Sequence, residues 1–366
     1  MKTVQQKDGY AVWALTPNGV GLAATLAADM AAVDVYLSGS LKIDTGTLPT
    51  AEARFFSSLS DSLAPVFHRY RGHIFITSTG IAVRVTAPLL RGKTVDPAVV
   101  VVDDRGRHAI SLLSGHIGGA NTLAHTVARI IGAEPVITTA TDVNRRPAID
   151  VLAVECGLFI ENPVAIKYVN MAILRSQRLD LHDPYCLMVD ALDSNLVNRV
   201  DPAGADAKMR EWTGSAGRAG VFIDDIRVDV PPEVLILRPA TLVAGIGCNR
   251  NTAEKEIQWL LDHVLDSHGL SPHSLNAIAT ASLKKDEPGL LAVAEACGLP
   301  IRFYEKDDLN RVDNIQTPSV MAEKHIGVKS VCEAAALLAA TGGKLIVAKQ
   351  KTPNVTVAIA RIAFTS

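Results

Sequence analysis

The sequence predicts an α/β protein: two α/β domains with open, mixed, mostly parallel sheets, joined by a smaller middle segment. Three observations predict it. Short apolar runs alternate with helical apolar spacing at both ends of the chain. Between about Asp150 and Val230 the apolar runs shorten, and Asp-rich turns such as Asp190-Ala-Leu-Asp193 and Asp201-Pro-Ala-Gly204 appear. The length of 366 residues exceeds one ordinary domain and suffices for two or three cores. The expected division is residues 1–150, a middle segment 151–236 and residues 237–366, with Pro231-Pro232 as punctuation or a linker.

Residues 10–15 read as a strand, Thr16-Pro-Asn-Gly as a turn, 20–30 as an alanine-rich helix and 33–37 as a second strand. Residues 55–70 carry helical spacing, 73–78 a strand, and 80–90 a helix or bent segment interrupted at Pro88. Residues 98–102 and 108–113 are apolar runs either side of Asp103-Asp-Arg-Gly106, a hairpin or tight corner. A loop with three glycines follows, Gly115-His-Ile-Gly-Gly119, then Asn121 as a helix cap, a helix 122–131 and Gly132 as its left-handed end. The C-terminal region opens with a strand 241–245, a Gly-Ile-Gly-Cys-Asn-Arg turn and a helix 252–267 with Asn251 and Glu254 at capping-box spacing. A strand 278–281, a helix from Pro288 to Cys297 and a strand 301–304 come next. Ser330 and Glu333 make a second capping box before 334–340, and strands 345–348 and 355–362 pair across Thr352-Pro-Asn354.

The glycine loop is the chemically suggestive stretch. Backbone N–H groups and a helix N-terminus converge there around an imidazole, which describes an anion site with a base in it. On that reading His116 is the candidate base, with donors around Gly118, Gly119 and Ala120. The plain alternative is a tightly packed loop with a polar histidine. Several basic residues border loops: Arg84, Arg91, Lys93, Arg145, Arg146, Arg250, Lys284, Lys285, Lys349 and Lys351. Each alone is ordinary surface, but together they suit a polycarboxylate at the carboxyl edge of two sheets.

Other motifs fall short of their signatures. Gly245-x-Gly247 has Arg250 where a dinucleotide fingerprint needs a third glycine, and Gly342-Gly-Lys344 lacks the flanks of a phosphate loop. The histidines form no HExxH pair, which argues against a protein-bound catalytic metal, and Ser114 is not in a GxSxG elbow. Cys248 at a glycine-rich turn is either an activated thiol or a packing residue.

Composition excludes several classes. A net charge of −2 makes no case for nucleic acid or an anionic membrane surface. Five widely spaced cysteines form neither a disulfide framework nor a CxxC clamp, which fits a reducing cytoplasm. We find no signal-peptide pattern and no long apolar span.

The segments Leu113-Ser-Gly-His-Ile-Gly-Gly-Ala-Asn121 and Pro135-Val-Ile-Thr-Thr-Ala-Thr-Asp142 resemble the cobalt-precorrin-5A hydrolase family of anaerobic cobalamin biosynthesis. Thr79-Gly-Ile-Ala-Val-Arg84, Val243-Ala-Gly-Ile-Gly-Cys248 and Leu283-Lys-Lys-Asp-Glu-Pro-Gly289 extend the likeness over most of the chain. The resemblance implies a hydrolase that opens the ring A δ-lactone of an anionic cobalt corrinoid and releases acetaldehyde, giving cobalt-precorrin-5B. It further implies that the substrate brings the cobalt and the protein needs no cofactor, with neighbouring pathway enzymes as further partners. The site residues expected are His116, Asn121 and Asp142 for catalysis, and Arg84, Gly118, Gly119, Arg250, Lys284 and Lys285 for substrate. A rival from another class is a non-catalytic protein that shields a labile corrinoid intermediate.

Overall fold

The computed structural model describes residues 9–41, 53–92, 95–203, 210–313, 315–318 and 328–363. The chain divides into two compact units, Val4–Val151 and Leu152–Ser366. The protein is α/β throughout.

The first unit holds β1 (Tyr10–Ala14), β2 (Val33–Ser38), β3 (Arg54–Phe56), β4 (Gly72–Ile76), β5 (Ala98–Val102), β6 (His108–Leu113) and β7 (Glu134–Val136). They form one sheet of order β3-β2-β1-β4-β5-β6-β7. Every pair is parallel except β5 with β6. Alternate residues serve opposite faces, as the period-2 strand requires. Val12, Ile74, Ile76 and Val100 pack on one side with Leu26, Leu123 and Val127 from helices Pro17–Asp29 and Ala120–Ile131. Trp13, Phe75, Val99 and Val101 pack on the other with Leu63 and Phe67. Ala98–Val102 is buried along its whole length, which is why it reads as an unbroken apolar run.

Two expectations here give way to local chemistry. Thr16-Pro-Asn-Gly opens the helix rather than turning, because Thr16 Oγ1 caps Gly19 N at 3.0 Å and Pro17 occupies the first turn, where no N–H is needed. Residues 55–70 are not one helix. They hold β3, the short helix Leu59–Leu63 and a series of turns, since Pro65 cannot continue a helix.

The second unit carries two larger sheets. The middle segment contributes β8 (Phe159–Ile160), β9 (Leu179–His182), β10 (Val197–Arg199), β11 (Arg210–Glu211), β12 (Gly220–Ile223), β13 (Val228–Asp229) and β14 (Val234–Arg238). Five of them form a sheet of order β10-β9-β12-β14-β8, parallel except at β8. The buried run Val234–Arg238 pairs back onto β12. The boundary expected between 236 and 237 therefore falls inside a strand, and Pro231-Pro232 lies within the middle segment, between β13 and β14.

The C-terminal strands are β15 (Leu242–Cys248), β16 (Leu275–Ala281), β17 (Ile301–Tyr304), β18 (Lys344–Lys351) and β19 (Val355–Arg361), in the order β17-β16-β15-β19-β18. β15, β16 and β17 are parallel, and β19 runs against both of its neighbours. One face packs on helices Glu254–Ser267 and Pro288–Cys297, the other on helix Val331–Ala339. Arg361 grips the fully buried Asp225 with two hydrogen bonds of 2.7 and 2.6 Å, tying β19 to the segment after β12.

Gly245 and Gly247 lie inside β15, not in the expected turn. A Cβ on Gly245 would sit 1.9 Å from the carbonyl oxygen of Cys332, so the helix rests directly on the strand backbone. Neither expected capping box forms. Ala253 precedes the helix beginning at Glu254, while Asn251 takes a left-handed φ of 58°. Glu333 is fully buried and accepts from the backbone N–H groups of Gln316, Thr317 and Lys349 and from Thr317 Oγ1, at 2.6 to 3.0 Å.

Gly245→Ala forces two backbones apart and is expected to destabilise the protein by about 3 kcal/mol in urea unfolding. Gly21→Ala, on an exposed helix face with nothing near its Cβ, is expected to be neutral or stabilising by up to about 1 kcal/mol. Equal effects at both positions refute the close-packing role of Gly245.

Candidate functional site

β6 runs against β5, with Leu113 opposite Val99. The loop after β6 therefore emerges at the amino edge of the five parallel strands, opposite the edge where α/β sheets usually present ligands. β7 runs parallel to β6 and delivers residues 137–142 to the same edge.

The loop backbone is tightly constrained. Ser114 takes φ 58° and Gly119 φ 83°, both left-handed. A Cβ on Gly118 would lie 2.3 Å from that of Ser114, so only glycine fits. The N–H groups of Gly119, Ala120 and Asn121 donate to the carbonyls of His116, Ser114 and Gly115 at 2.8 to 3.0 Å. Those of Gly119 and Ala120 are thereby spent inside the loop, and the expected oxyanion donors at these two positions are not available. The glycines shape the loop.

His116 lies between two carboxylates. Its Nε2 is 2.9 Å from Asp142 Oδ2 and 2.9 Å from Thr141 Oγ1, and its Nδ1 is 3.3 Å from Asp150 Oδ2. The hydrogen bond to Asp150 raises the imidazole pKa above the ordinary 6.5; burial opposes the rise, and Asp142 adds to it. The two carboxylates stabilise the imidazolium and extend its pH range upward, whereas the sequence reading expects a neutral ring. Asp142 has the complementary shift. Burial works against its charge, but hydrogen bonds from Thr139 and His116 outweigh that and hold its carboxyl below the usual range.

Asn121 is not the helix cap, which is Gly119. Its buried side chain accepts from Ser111 Oγ at 2.6 Å and donates to Thr139 Oγ1 at 2.9 Å and Asp142 Oδ2 at 3.1 Å. Thr139 donates to the same Oδ2 at 2.7 Å. Asn121 and Thr139 thus aim Asp142 at the imidazole. Sequence reasoning missed Asp150, whose side chain is only 5% exposed against 43% for Asp142. It looks like a first-turn acid of helix Ile149–Glu155, and no local pattern separates that role from a histidine partner 34 residues away.

The expected cations scatter. Arg84 is exposed on helix Thr79–Thr86 in the first unit. In the second unit Arg250 pairs with Asp286 at 2.6 Å and Lys285 with Glu305 at 3.8 Å, both on the surface. Lys284 lines a cavity of about 730 Å³ together with Lys349, Lys351 and Cys248. Burial pushes the Cys248 thiol up, which removes the activated-thiol reading. Lys93 lies outside the described residues. Among the described residues, no group of three or more His, Cys, Asp or Glu is placed to hold a metal ion, and no helix is long and apolar enough to cross a membrane.

The chain matches three family descriptions in order: Cobalamin synthesis G N-terminal over residues 61–142, Cobalamin biosynthesis central region over 147–239, and Cobalamin synthesis G C-terminus over 242–360. It is 33% identical to a cobalt-precorrin-5A hydrolase of Priestia megaterium across 99% of this chain and 97% of that protein. It is 37% identical to a cobalt-precorrin-5A hydrolase of Salmonella typhimurium across 93% of this chain and 94% of that protein. A shorter likeness, 32% over 123 residues, covers 33% of this chain and 80% of Protein CobE of a Sinorhizobium species. With all three segments matched in sequence order and near-full-length identity above 30% to two such proteins, the chain belongs to the cobalt-precorrin-5A hydrolase family.

Proposed function

We propose that this chain is a cobalt-precorrin-5A hydrolase of cobalamin biosynthesis, and that His116 handles a proton which the reaction moves twice at one oxygen. The observation that carries the residue assignment is the imidazole held between Asp142 and Asp150. Opening a δ-lactone expels its ring oxygen as an alkoxide, which needs a proton. Releasing acetaldehyde then breaks the bond between the former meso carbon and the macrocycle, and the same oxygen must give that proton up. An imidazolium suits the first step, and the neutral ring it leaves behind suits the second. The attacking water loses its proton to solvent. In the second step the bonding electrons pass into the conjugated ring, and the ring carbon left behind takes a proton from solvent.

Each neighbour has a part in this cycle. Asp150, the buried partner, keeps the ring oriented and makes its cation favourable, as carboxylates do beside catalytic histidines. Asp142, held by Thr139 and Asn121, faces solvent and shares Nε2, the nitrogen that must meet substrate. Gly118 and Gly119 let the loop turn closely, and the exposed Arg84 is a cation for a carboxylate arm. Lys284, on the second unit, is a further candidate for carboxylate binding. The substrate's own cobalt and conjugated ring act as the electron sink, so the protein supplies no cofactor. We place the reaction in the cytoplasm and keep three sequence segments, with the middle one ending after β14. The rival shielding role releases no acetaldehyde, whereas the hydrolase does.

Three outcomes are expected. In Asp150→Asn the main support for the imidazolium is gone, so the His116 pKa falls toward the ordinary histidine value in a proton NMR titration. An unchanged midpoint refutes Asp150 as the positioning partner. Second, because the starting ring is protonated and its pKa is raised, kcat/KM is full below that pKa and declines as pH rises through it, above 6.5. His116→Asn is expected to slow single-turnover acetaldehyde release by about 10²-fold or more, with thermal melting and affinity nearly unchanged. A rate that climbs through the same pKa makes the neutral ring the starting form and reverses the order of the two proton transfers.

A further inference from the structure

The carboxyl edge of the C-terminal sheet encloses the cavity of about 730 Å³ on the unit that does not carry His116. β15 and β16 end at Cys248 and Ala281, and antiparallel β19 begins beside them at Val355, so three strand ends surround one hollow. The parallel run reverses at β15, which has β16 on one side and β19 on the other. Such a switch point opens a crevice between strand ends, and the volume lies within the range of small-molecule sites.

Among the described residues the lining charge has one sign: Lys284, Lys349 and Lys351 line the hollow, and no Asp or Glu does. Two nearby carboxylates are spent elsewhere. Glu256 accepts from Thr352 Oγ1 at 2.7 Å and Asn354 Nδ2 at 3.2 Å, which pins the turn at the rim. Glu333 is saturated by its four donors. Among the described residues, Glu287, buried outside the lining with neither oxygen hydrogen-bonded, pairs with Lys284 at 3.9 Å, which leaves Lys349 and Lys351 as the lining cations without a carboxylate partner. Helix Val331–Ala339 starts in the lining at Val331, adding its positive end to the lysines.

Between these charges the walls are mostly apolar, with Ala281, Val331, Pro353 and the exposed Leu283, and carry polar groups such as Asn249, Ser330 and Asn354. A nucleotide triphosphate does not fit this pattern. Its clustered phosphates need a glycine nest at the strand end, whereas Gly245 and Gly247 lie within β15, packed against Cys332 and Thr356. Lysines on separate elements around an apolar floor fit a large apolar body with carboxylates spaced along its edge. We infer that this cavity binds the carboxylate-bearing edge of a tetrapyrrole. The choice of tetrapyrrole rests on the hydrolase reading; the polycarboxylate chemistry stands on the cavity alone.

The test uses the full chain and uroporphyrin I, a fluorescent octacarboxylate tetrapyrrole, titrated by fluorescence anisotropy. Lys351→Glu, an exposed position where folding is not at stake, is expected to weaken binding about tenfold or more, and Lys284→Gln with Lys351→Gln similarly. Wild-type affinity is expected to fall with added salt, and ATP at equal concentration is expected not to displace the porphyrin. Binding indifferent to both lysine variants, or displaced by ATP, overturns the inference. Acetaldehyde release without lysine-dependent porphyrin binding leaves the hydrolase reading standing and removes this site. Lysine-dependent binding without acetaldehyde release does the reverse.

Discussion

Asp103 closes the turn between β5 and β6 by accepting the backbone N–H groups of Arg105, Arg107 and His108 at 2.7 to 3.0 Å. Burial works against its charge, yet those three donors hold its carboxyl below the usual range. The turn reverses β6, and β7 parallel to it, against the other five strands of the sheet, and the placement of the His116 loop depends on that reversal. Had β6 continued the parallel pattern, the glycine loop would emerge at the opposite edge, away from residues 91–96. Instead Gly118 packs beside the Asp96 carbonyl, and the Asp96 carboxylate fixes its own segment through the N–H groups of Arg91 and Gly92, each at 2.9 Å. The His116 loop thus rests on two carboxylate-closed turns, both stabilised by backbone donors that cannot relax away.

The opposite shifts of His116 and Asp142 are one interaction seen from its two ends, and Asp150 breaks the symmetry. Asp150 is buried, so its contact with Nδ1 persists while the site works. Asp142 is nearly half exposed, and on it converge Thr139, Asn121 and the imidazole. A substrate oxygen that reaches Nε2 competes with an exposed partner, not a buried one, and the displacement costs far less there because water screens the exposed pair. The geometry therefore gives the ring one nitrogen anchored to a buried carboxylate and one whose partner is exposed. Such a division is what the proposed donor and acceptor of a proton requires.

Much of this was legible in the sequence, and what was not has a common cause. The Ala98–Val102 run, the Asp103–Gly106 turn, the left-handed Gly132 and the Pro288 helix start all follow from local rules, and the structure holds each of them. His116 and Asp142 were both singled out in the sequence, through the glycine loop and its resemblance, and the structure brings them within 2.9 Å of each other. The upward shift of the His116 pKa was not legible, because its largest cause is Asp150, brought to Nδ1 by the fold alone. The capping boxes misled for the same reason. Ser330 and Glu333 have the right spacing, but a fully buried carboxylate takes the strongest set of donors within reach, and here those belong to residues 316, 317 and 349. Gly245-x-Gly247 likewise imitates a ligand turn while serving the contact between a helix and a strand.

That preference of buried carboxylates also decides what the surface offers a ligand. Among the described residues, Asp96, Asp150, Asp180, Asp224, Asp225, Glu287 and Glu333 are buried, whereas Arg238 is the one lysine or arginine that is. Backbone N–H groups, hydroxyls and arginine forks meet most of these acids inside, as Arg361 meets Asp225 and Arg218 meets Asp180 at 3.0 Å. Lysine behaves differently, because its compact, strongly hydrated charge is costly to bury. The interior consequently carries a surplus of negative charge, and the outward-facing residues are more basic than a net charge of −2 suggests. A polycarboxylate approaching this protein meets that local surplus of exposed cations, not the average over the chain.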